Sequence, residues 1–351
     1  MVKITKRQAD ILEFIRKKEK AGNDEIREVI SRKYGEISRI TIVRELDILL
    51  KKGLLAKFGR GRAVVYAEKL ATPLLRYFDP EEYFQKGPDE REAAFPRFNF
   101  DVFENLSGLF SKEESDELKK LNSDYQERIK KLPPAIISKE IERLTIELSW
   151  KSSRIEGNTY SLIDTEILIK ERKEAKGRKK EEAAMILNHK AALDYIFQNK
   201  KEFKKINIRK IENIHSLIVK DSPVPKGLRK KPVGITGTKY RPLDNYHQIR
   251  EAMEKMADAA NKIKDPFAKA FAAVILLSYI QPFEDGNKRT ARLLGNAVLL
   301  AHGACPLSYR SINEADYKKA TLLFYEQMSA RFFKELFIKQ FQFAVENYFL
   351  K

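Results

Sequence analysis

The feature that most limits what this chain can fold into is a run without a charge, Ala270-Phe271-Ala272-Ala273-Val274-Ile275-Leu276-Leu277-Ser278-Tyr279-Ile280. Its eleven residues fall well short of the roughly 20 that a bilayer span needs, so the run predicts a helix buried in a protein core. Directly behind it the composition inverts. Gln281-Pro282-Phe283-Glu284-Asp285-Gly286-Asn287-Lys288-Arg289-Thr290-Ala291-Arg292 is polar and charged almost throughout. A second helix is expected from near Thr290, with Leu293, Leu294, Val298 and Leu299 on its apolar face.

A loop between two such helices has predictable chemistry. Gly286 lets another group approach the backbone closely, and the free N–H groups and dipole at the start of the second helix attract anions. Lys288, Arg289 and Arg292 add three cations, Arg289 and Arg292 on one helical face. Glu284 and Asp285 would repel an anion unless a cation joined them, and a carboxylate beside phosphate is the usual way to hold Mg²⁺. The loop therefore reads as a cradle for a Mg-bound polyphosphate. The competing reading is a loop whose charges pair internally, Asp285 with Arg289.

At 351 residues the chain is long enough for two or three folded units. Cys305 is the sole cysteine, which excludes an intramolecular disulfide and a cysteine-cluster metal site. The start, MVKITKRQADILEF, has no signal-peptide core, so a cytoplasmic protein without a membrane partner is expected. The net charge of +18 invites a polyanion as partner. Mixed-sign runs such as Glu171 to Lys180 read as solvated surface, so the charge must be localised first.

Residues 1–70 hold 18 basic and 10 acidic side chains, or +8 of the +18. Helical spacing is expected from Lys6 to Lys20, Asp24 to Lys33 and Arg39 to Leu50. Ile11, Phe14, Ile15, Ile26, Val29, Ile30, Ile42, Leu46, Leu49 and Leu50 then face inward. Ser38 stands where an N-cap belongs, leaving Arg39, Thr41 and Arg44 outward near the start of the third helix. A basic turn, Lys57-Phe58-Gly59-Arg60-Gly61-Arg62, joins two short strands and sets Arg60 and Arg62 at a hairpin tip. This segment resembles a winged helix-turn-helix domain, whose third helix and wing meet bases and phosphates. Double-stranded DNA is the expected partner, and a protein-binding winged helix is the alternative.

Residues 71–132 read as a helical and irregular connector, rich in proline and aromatics before Phe100, and 133–351 as a helical domain. One break in that domain, Val233 to Pro242, alternates like a short hairpin.

Residues 281–292 closely resemble the Fic family motif, His-Pro-Phe-x-Asp/Glu-Gly-Asn-Gly/Lys-Arg-x-x-Arg, at every place but the first. The resemblance implies a mainly α chain, a winged helix followed by an all-α Fic domain with a β-hairpin flap. It implies an enzyme that moves AMP from ATP to a Ser, Thr or Tyr hydroxyl of a target protein, itself among the candidates; a homodimer is compatible with it. By position, Phe283 anchors the loop and Asp285 binds Mg²⁺. Gly286, Asn287 and Lys288 form an anion nest, Arg289 and Arg292 hold phosphates, and Tyr317 lies near the nucleotide. Ile235, Thr236, Gly237 and Tyr240 belong to the flap that aligns the target. Ser152-Ser153-Arg154-Ile155-Glu156-Gly157-Asn158 resembles the family's inhibitory motif. Ile137, Ile141, Leu144 and Leu148 make a helical stripe that continues through Ser152 and Glu156, so Glu156 can reach Arg292 and neutralise it.

Two residues depart from the pattern. Lys288 replaces the glycine of most AMP-transferring members, as in the Doc toxin, which transfers the γ-phosphate; Arg292 argues for the usual ATP orientation. Gln281 replaces the catalytic histidine, and a carboxamide cannot serve as general base. His215 sits on an apolar helix and reads as structural, and none of the four histidines lies in the loop. The expectation is a self-inhibited AMP transferase, impaired at Gln281 and joined to a DNA-binding domain. A catalytically dead, nucleotide-sensing transcription regulator is the alternative. Doc-like phosphotransfer and removal of AMP from a modified protein are weaker readings.

Overall fold

A computed structural model describes residues 4–350, with the Arg62 side chain outside the described set. The front of the chain builds a small α/β body. Helices α1 (Lys6–Lys18), α2 (Asn23–Tyr34) and α3 (Arg39–Lys51) pack on a three-stranded antiparallel sheet, β1 (Ala21–Gly22), β2 (Leu55–Phe58) and β3 (Val65–Glu68), in the order β1-β3-β2. The caps are local. Thr5 and Gln8 form a reciprocal capping box on α1, and the Ser38 hydroxyl accepts from the Thr41 amide at 3.2 Å. Ile11, Ile15, Ile26, Ile30, Ile42, Leu46 and Leu49 fill a core of their own, with Phe14, Val29 and Leu50 only partly covered at its margin.

The rest of the chain is helical: α4 (Pro80–Tyr83), α5 (Lys112–Lys131), α6 (Pro134–Ile155), α7 (Leu162–Glu171), α8 (Lys180–Gln198), α9 (Ile208–Ile218), α10 (Tyr246–Lys262), α11 (Pro266–Ile280), α12 (Asn287–Ala301), α13 (Glu314–Gln327) and α14 (Arg331–Asn347). Helix α11, the apolar run, is buried along almost its full length and lies against α12. Gly295 makes that approach close, since a Cβ there would stand 2.5 Å from Val274 Cγ2. Leu74, Val102, Leu109, Phe110, Leu118 and Tyr125 from residues 71–132 join the same core as α11 and α12. The two bodies meet at Glu68, which accepts from Arg16 Nε at 2.8 Å and from Arg331 Nη1 at 2.7 Å. No described helix is long and apolar enough to cross a membrane.

The flap segment departs from its sequence pattern. Residues 233–242 run extended around a turn at Thr236-Gly237 and form no ladder with each other. Their backbone partners come from the connector: Arg241 N donates to Pro96 O at 2.9 Å, and Phe98 N donates to Arg241 O at 3.3 Å. Alternation alone does not say which strand supplies the partner.

Candidate active site

Helix α11 ends at Gln281, whose backbone takes the left-handed conformation (φ 51°, ψ 57°). That turn is costly for a residue with a side chain, and Arg229 holds it. The Arg229 guanidinium is buried, donates from Nε to Gln281 O at 2.7 Å and also bonds the carbonyls of Lys231 and Leu243. Its own amide donates to Pro282 O at 2.9 Å. No local pattern points to this role, because an arginine in Arg229-Lys230-Lys231 reads as surface.

Phe283 then drops into the core and stacks on His215, with ring centroids 3.7 Å apart and planes 6° from parallel. Burial drives His215 down to about 4, only partly opposed by its bond to the Asp285 carbonyl, so it is neutral. Its Nε2 lies 3.0 Å from that carbonyl and must carry the proton, since a carbonyl only accepts. The structural reading of His215 agrees with this position. Asn287 closes the loop by exchanging two 2.8 Å hydrogen bonds with the Phe283 backbone. Gly286 adopts φ 79°, and a Cβ there would press on Ile218 at 3.0 Å.

Helix α12 starts without a side-chain cap and without an acidic residue in its first turn. Lys288 and Arg289 stand there instead, beside the positive end of the helix dipole, an arrangement that calls for anions. Two carboxylates answer. Asp285 pairs with Arg289 inside the loop, its carboxylate 2.7 Å from Nη2, and remains 63% exposed. Glu156, which caps the C-terminal end of α6, meets Lys288 Nζ at 3.0 Å and Arg292 Nη2 at 2.9 Å. Burial pushes the Glu156 carboxyl up, but Arg292 and Lys288 together outweigh it and hold it at about 2.

Arg292 is fully buried. Its Nε and Nη2 also donate to the Ser152 hydroxyl and carbonyl, both at 2.9 Å, and its guanidinium lies 5.3 Å from the Tyr317 ring centroid.

The loop and the start of α12 border a cavity of about 400 Å³. Gln281, Asp285, Gly286, Asn287, Lys288 and Arg289 line one side, Tyr317, Thr321 and Tyr325 of α13 another, and Val233, Gly234, Ile235 and Thr236 a third, with Glu156 at its edge. Gln281 donates its side-chain amide to Ser278 O at 2.6 Å and to the Tyr325 hydroxyl at 3.1 Å. Phe283 sits in the core, as expected of the loop's anchor, whereas Arg292, Tyr240 and Gly237 do not line the cavity. Arg292 is covered by Ser152 and Glu156. Tyr240 is buried, donating to Tyr279 O at 2.8 Å and stacking on Tyr279 and Tyr325, and Gly237 lies past the lining at the flap's turn.

On the front body, Arg39, Arg44 and Arg60 are exposed and Thr41 is half-buried, its hydroxyl 2.9 Å from that of Ser38. Ile40 beside them is 65% exposed. The Arg62 side chain lies outside the described residues.

Residues 205–299 match the profile of the Fic/DOC family, and residues 4–74 match that of the penicillinase repressor. The chain is 30% identical over 178 residues to a protein adenylyltransferase Fic of Nematostella vectensis, 48% of this chain and 40% of that one. It is 26% identical over 168 residues to protein adenylyltransferase fic-1 of Caenorhabditis elegans, 46% of this chain and 33% of that one. The matched span is thus about a third to two fifths of those relatives. In fold, it superposes on Fic-1 (aa134–508) from C. elegans with TM-score 0.58 and 21% identity, over 67% of this chain and 71% of that one. A Fic domain containing signaling protein from Bacteroides thetaiotaomicron gives TM-score 0.54 and 21% identity, over 65% and 92%. This chain carries a Fic domain, preceded by a winged-helix domain similar to the penicillinase repressor.

Proposed function

We propose that the cavity binds ATP and that the domain transfers AMP to a hydroxyl of a target protein, under the restraint of Glu156. The observation that carries this is the uncapped start of α12, where Lys288 is met by a carboxylate brought from another helix. A phosphate would take the same cation and the same free amides. The family resemblance of the motif and the adenylyltransferase relatives support AMP as the transferred group.

In that reaction the target's hydroxyl oxygen attacks the α-phosphorus and pyrophosphate leaves. Arg289 and the α12 amides hold phosphate oxygens, and the flap lining at Val233 to Thr236 guides the target backbone. Asp285 fits a Mg²⁺ ion, because its exposed carboxylate borders the cavity and Arg289 bonds only Oδ2. Bound there with phosphate oxygens and water, the ion would offset charge on the triphosphate. The hydroxyl's proton finds no base at position 281: Gln281 Nε2 donates to Ser278 O and the Tyr325 hydroxyl, and a carboxamide oxygen does not take up a proton. Lost general-base help typically costs about 10²–10⁴ in rate. Arg292 and Lys288 are both committed to Glu156, so ATP meets fewer cations while that carboxylate stays.

The test is a label-transfer assay on the full chain carrying Gln281→His and Glu156→Gly. Label on protein from α-labelled ATP alone is expected. Label from γ-labelled ATP alone would replace AMP transfer with phosphotransfer.

A second reading is favoured by Gln281 itself: the Fic domain only senses nucleotide, and the winged helix reports it to DNA. The exposed Arg39, Arg44 and Arg60 support DNA binding. If ATP leaves the DNA affinity of the unaltered chain unchanged, this reading fails.

A further inference from the structure

Arg91 belongs to the connector, outside the stretch that matches the Fic profile, yet it is bonded to the flap. Its side chain and that of Glu326 are 5% and 2% exposed. Arg91 grips Glu326 with two parallel bonds, Nε to Oε2 at 3.0 Å and Nη2 to Oε1 at 2.9 Å, the fork geometry that fixes both partners. The same Nη2 donates to Gly237 O at 2.6 Å, Nη1 donates to Lys86 O at 3.2 Å, and the Phe84 ring lies 4.9 Å from the guanidinium. One side chain therefore joins the connector, the flap's turn and helix α13.

Both ends of that link reach the cavity. Gly237 follows directly on the flap residues that line it, and Glu326 follows Tyr325, whose hydroxyl touches Gln281. The connector adds further bonds along the same flap, Lys239 Nζ to Asp89 O at 2.6 Å and Arg241 N to Pro96 O at 2.9 Å. A flap without a ladder of its own can only be positioned by what stands behind it. Tyr83, whose hydroxyl donates to Glu326 Oε2 at 2.7 Å, completes the cluster.

We propose that Arg91 is a positioning residue for the transfer step: through Glu326 and Gly237 it fixes the flap over the cavity and so aligns the incoming hydroxyl. The inference rests on the transfer reading of the cavity, but the flap's order can be measured without it. Displacing a reacting group by about 1 Å can cost 10²-fold in rate, so a bond 2.6 Å long at the flap's turn is worth testing.

The experiment compares Arg91→Met and Arg91→Lys with their parent, the full chain carrying Gln281→His and Glu156→Gly. Methionine keeps the packing against Phe84; lysine keeps the charge but cannot grip Glu326 and Gly237 together. Hydrogen exchange is followed by mass spectrometry over residues 233–242 and over α11 and α12, with ATP affinity and α-label transfer alongside. The expected result is flap exchange faster by about tenfold, unchanged exchange in α11 and α12, ATP affinity within about twofold, and transfer down by about 10–100-fold through kcat. Unchanged flap exchange overturns the proposal. So does a loosening of α11 and α12 equal to that of the flap, because Arg91 would then be a general structural pair. Transfer that stays at the parent's rate despite a loosened flap also overturns it. A parent that transfers no label defeats the transfer reading, and with it the alignment of a hydroxyl, while flap exchange still decides whether Arg91 holds the flap.

Discussion

The Glu156 carboxylate lies 2.9 Å from the Arg292 guanidinium and joins residues 136 positions apart in the chain, the end of α6 and the first turns of α12. A carboxylate at the C-terminal end of a helix opposes that helix's dipole. It is stable there because Arg292 and Lys288 both face it. The pairing holds from neutral pH down through the usual carboxylate range, since the lowered carboxyl of Glu156 protonates only near 2.

Removing Glu156 leaves Arg292 buried with Ser152 as its hydrogen-bond partner. Breaking a fully buried pair costs about 3–5 kcal/mol; Glu156 keeps some solvent, so roughly 1–3 kcal/mol is expected for Glu156→Gly. Calorimetric melting of the free protein should show Tm lower by a few degrees. Mg-ATP should restore it, by more than it stabilises the unaltered chain. An unchanged Tm would mean the pair contributes nothing.

Lys288 contributes a second tether. Lys288→Ala should release Glu156 only in part, because Arg292 still holds it. In the Gln281→His background, transfer should rise less than with Glu156→Gly, and adding Lys288→Ala to Glu156→Gly should lower ATP affinity, because the phosphate then loses the Lys288 cation. Titrating ATP against each protein checks the order.

His215 makes the loop acid-sensitive. Its folded-state value is lowered to about 4 from an ordinary 6.5, so the unfolded chain takes up a proton first as pH falls. Stability is therefore full above about 6.5 and declines toward 4, by on the order of 2–3 kcal/mol from this group. Buried His189, also lowered by burial, acts in the same direction. Urea unfolding at pH 7 and pH 5 should show the loss, and His215→Gln should reduce the difference between them.

If the front body binds DNA, Arg39, Arg44 and Arg60 meet phosphates or base edges. Each phosphate contact removed by substitution should flatten the slope of log affinity against log salt by about 0.9. Ile40, exposed beside them, should leave the slope unchanged and alter sequence preference through apolar contact with thymine methyls. Binding-site selection with the Ile40→Ala protein checks that separation.

Local signals in the sequence carried far. The charge-free run located α11, Ser38 marked the start of α3, and the stripe from Ile137 to Leu148 placed Ser152 and Glu156 on the face that meets Arg292. What escaped notice were long-range partners of residues in charged runs. Arg91, within Asp89-Glu90-Arg91-Glu92, and Arg229, within Arg229-Lys230-Lys231, look solvated by composition, yet both are buried and bonded to backbone carbonyls. Periodicity describes an element's own faces. It does not name the distant carbonyl that a guanidinium will satisfy, nor that residues 96–98 supply the flap's backbone partners.

The most direct test of the account compares α-label transfer by four full-length proteins: unaltered, Gln281→His, Glu156→Gly, and both together. If Gln281 withholds the base and Glu156 withholds the phosphate cations, either single change leaves transfer low and the double change raises it far above both, by about 10²–10⁴ over Glu156→Gly alone. Full transfer by Gln281→His with nothing gained from Glu156→Gly would contradict the restraint by Glu156.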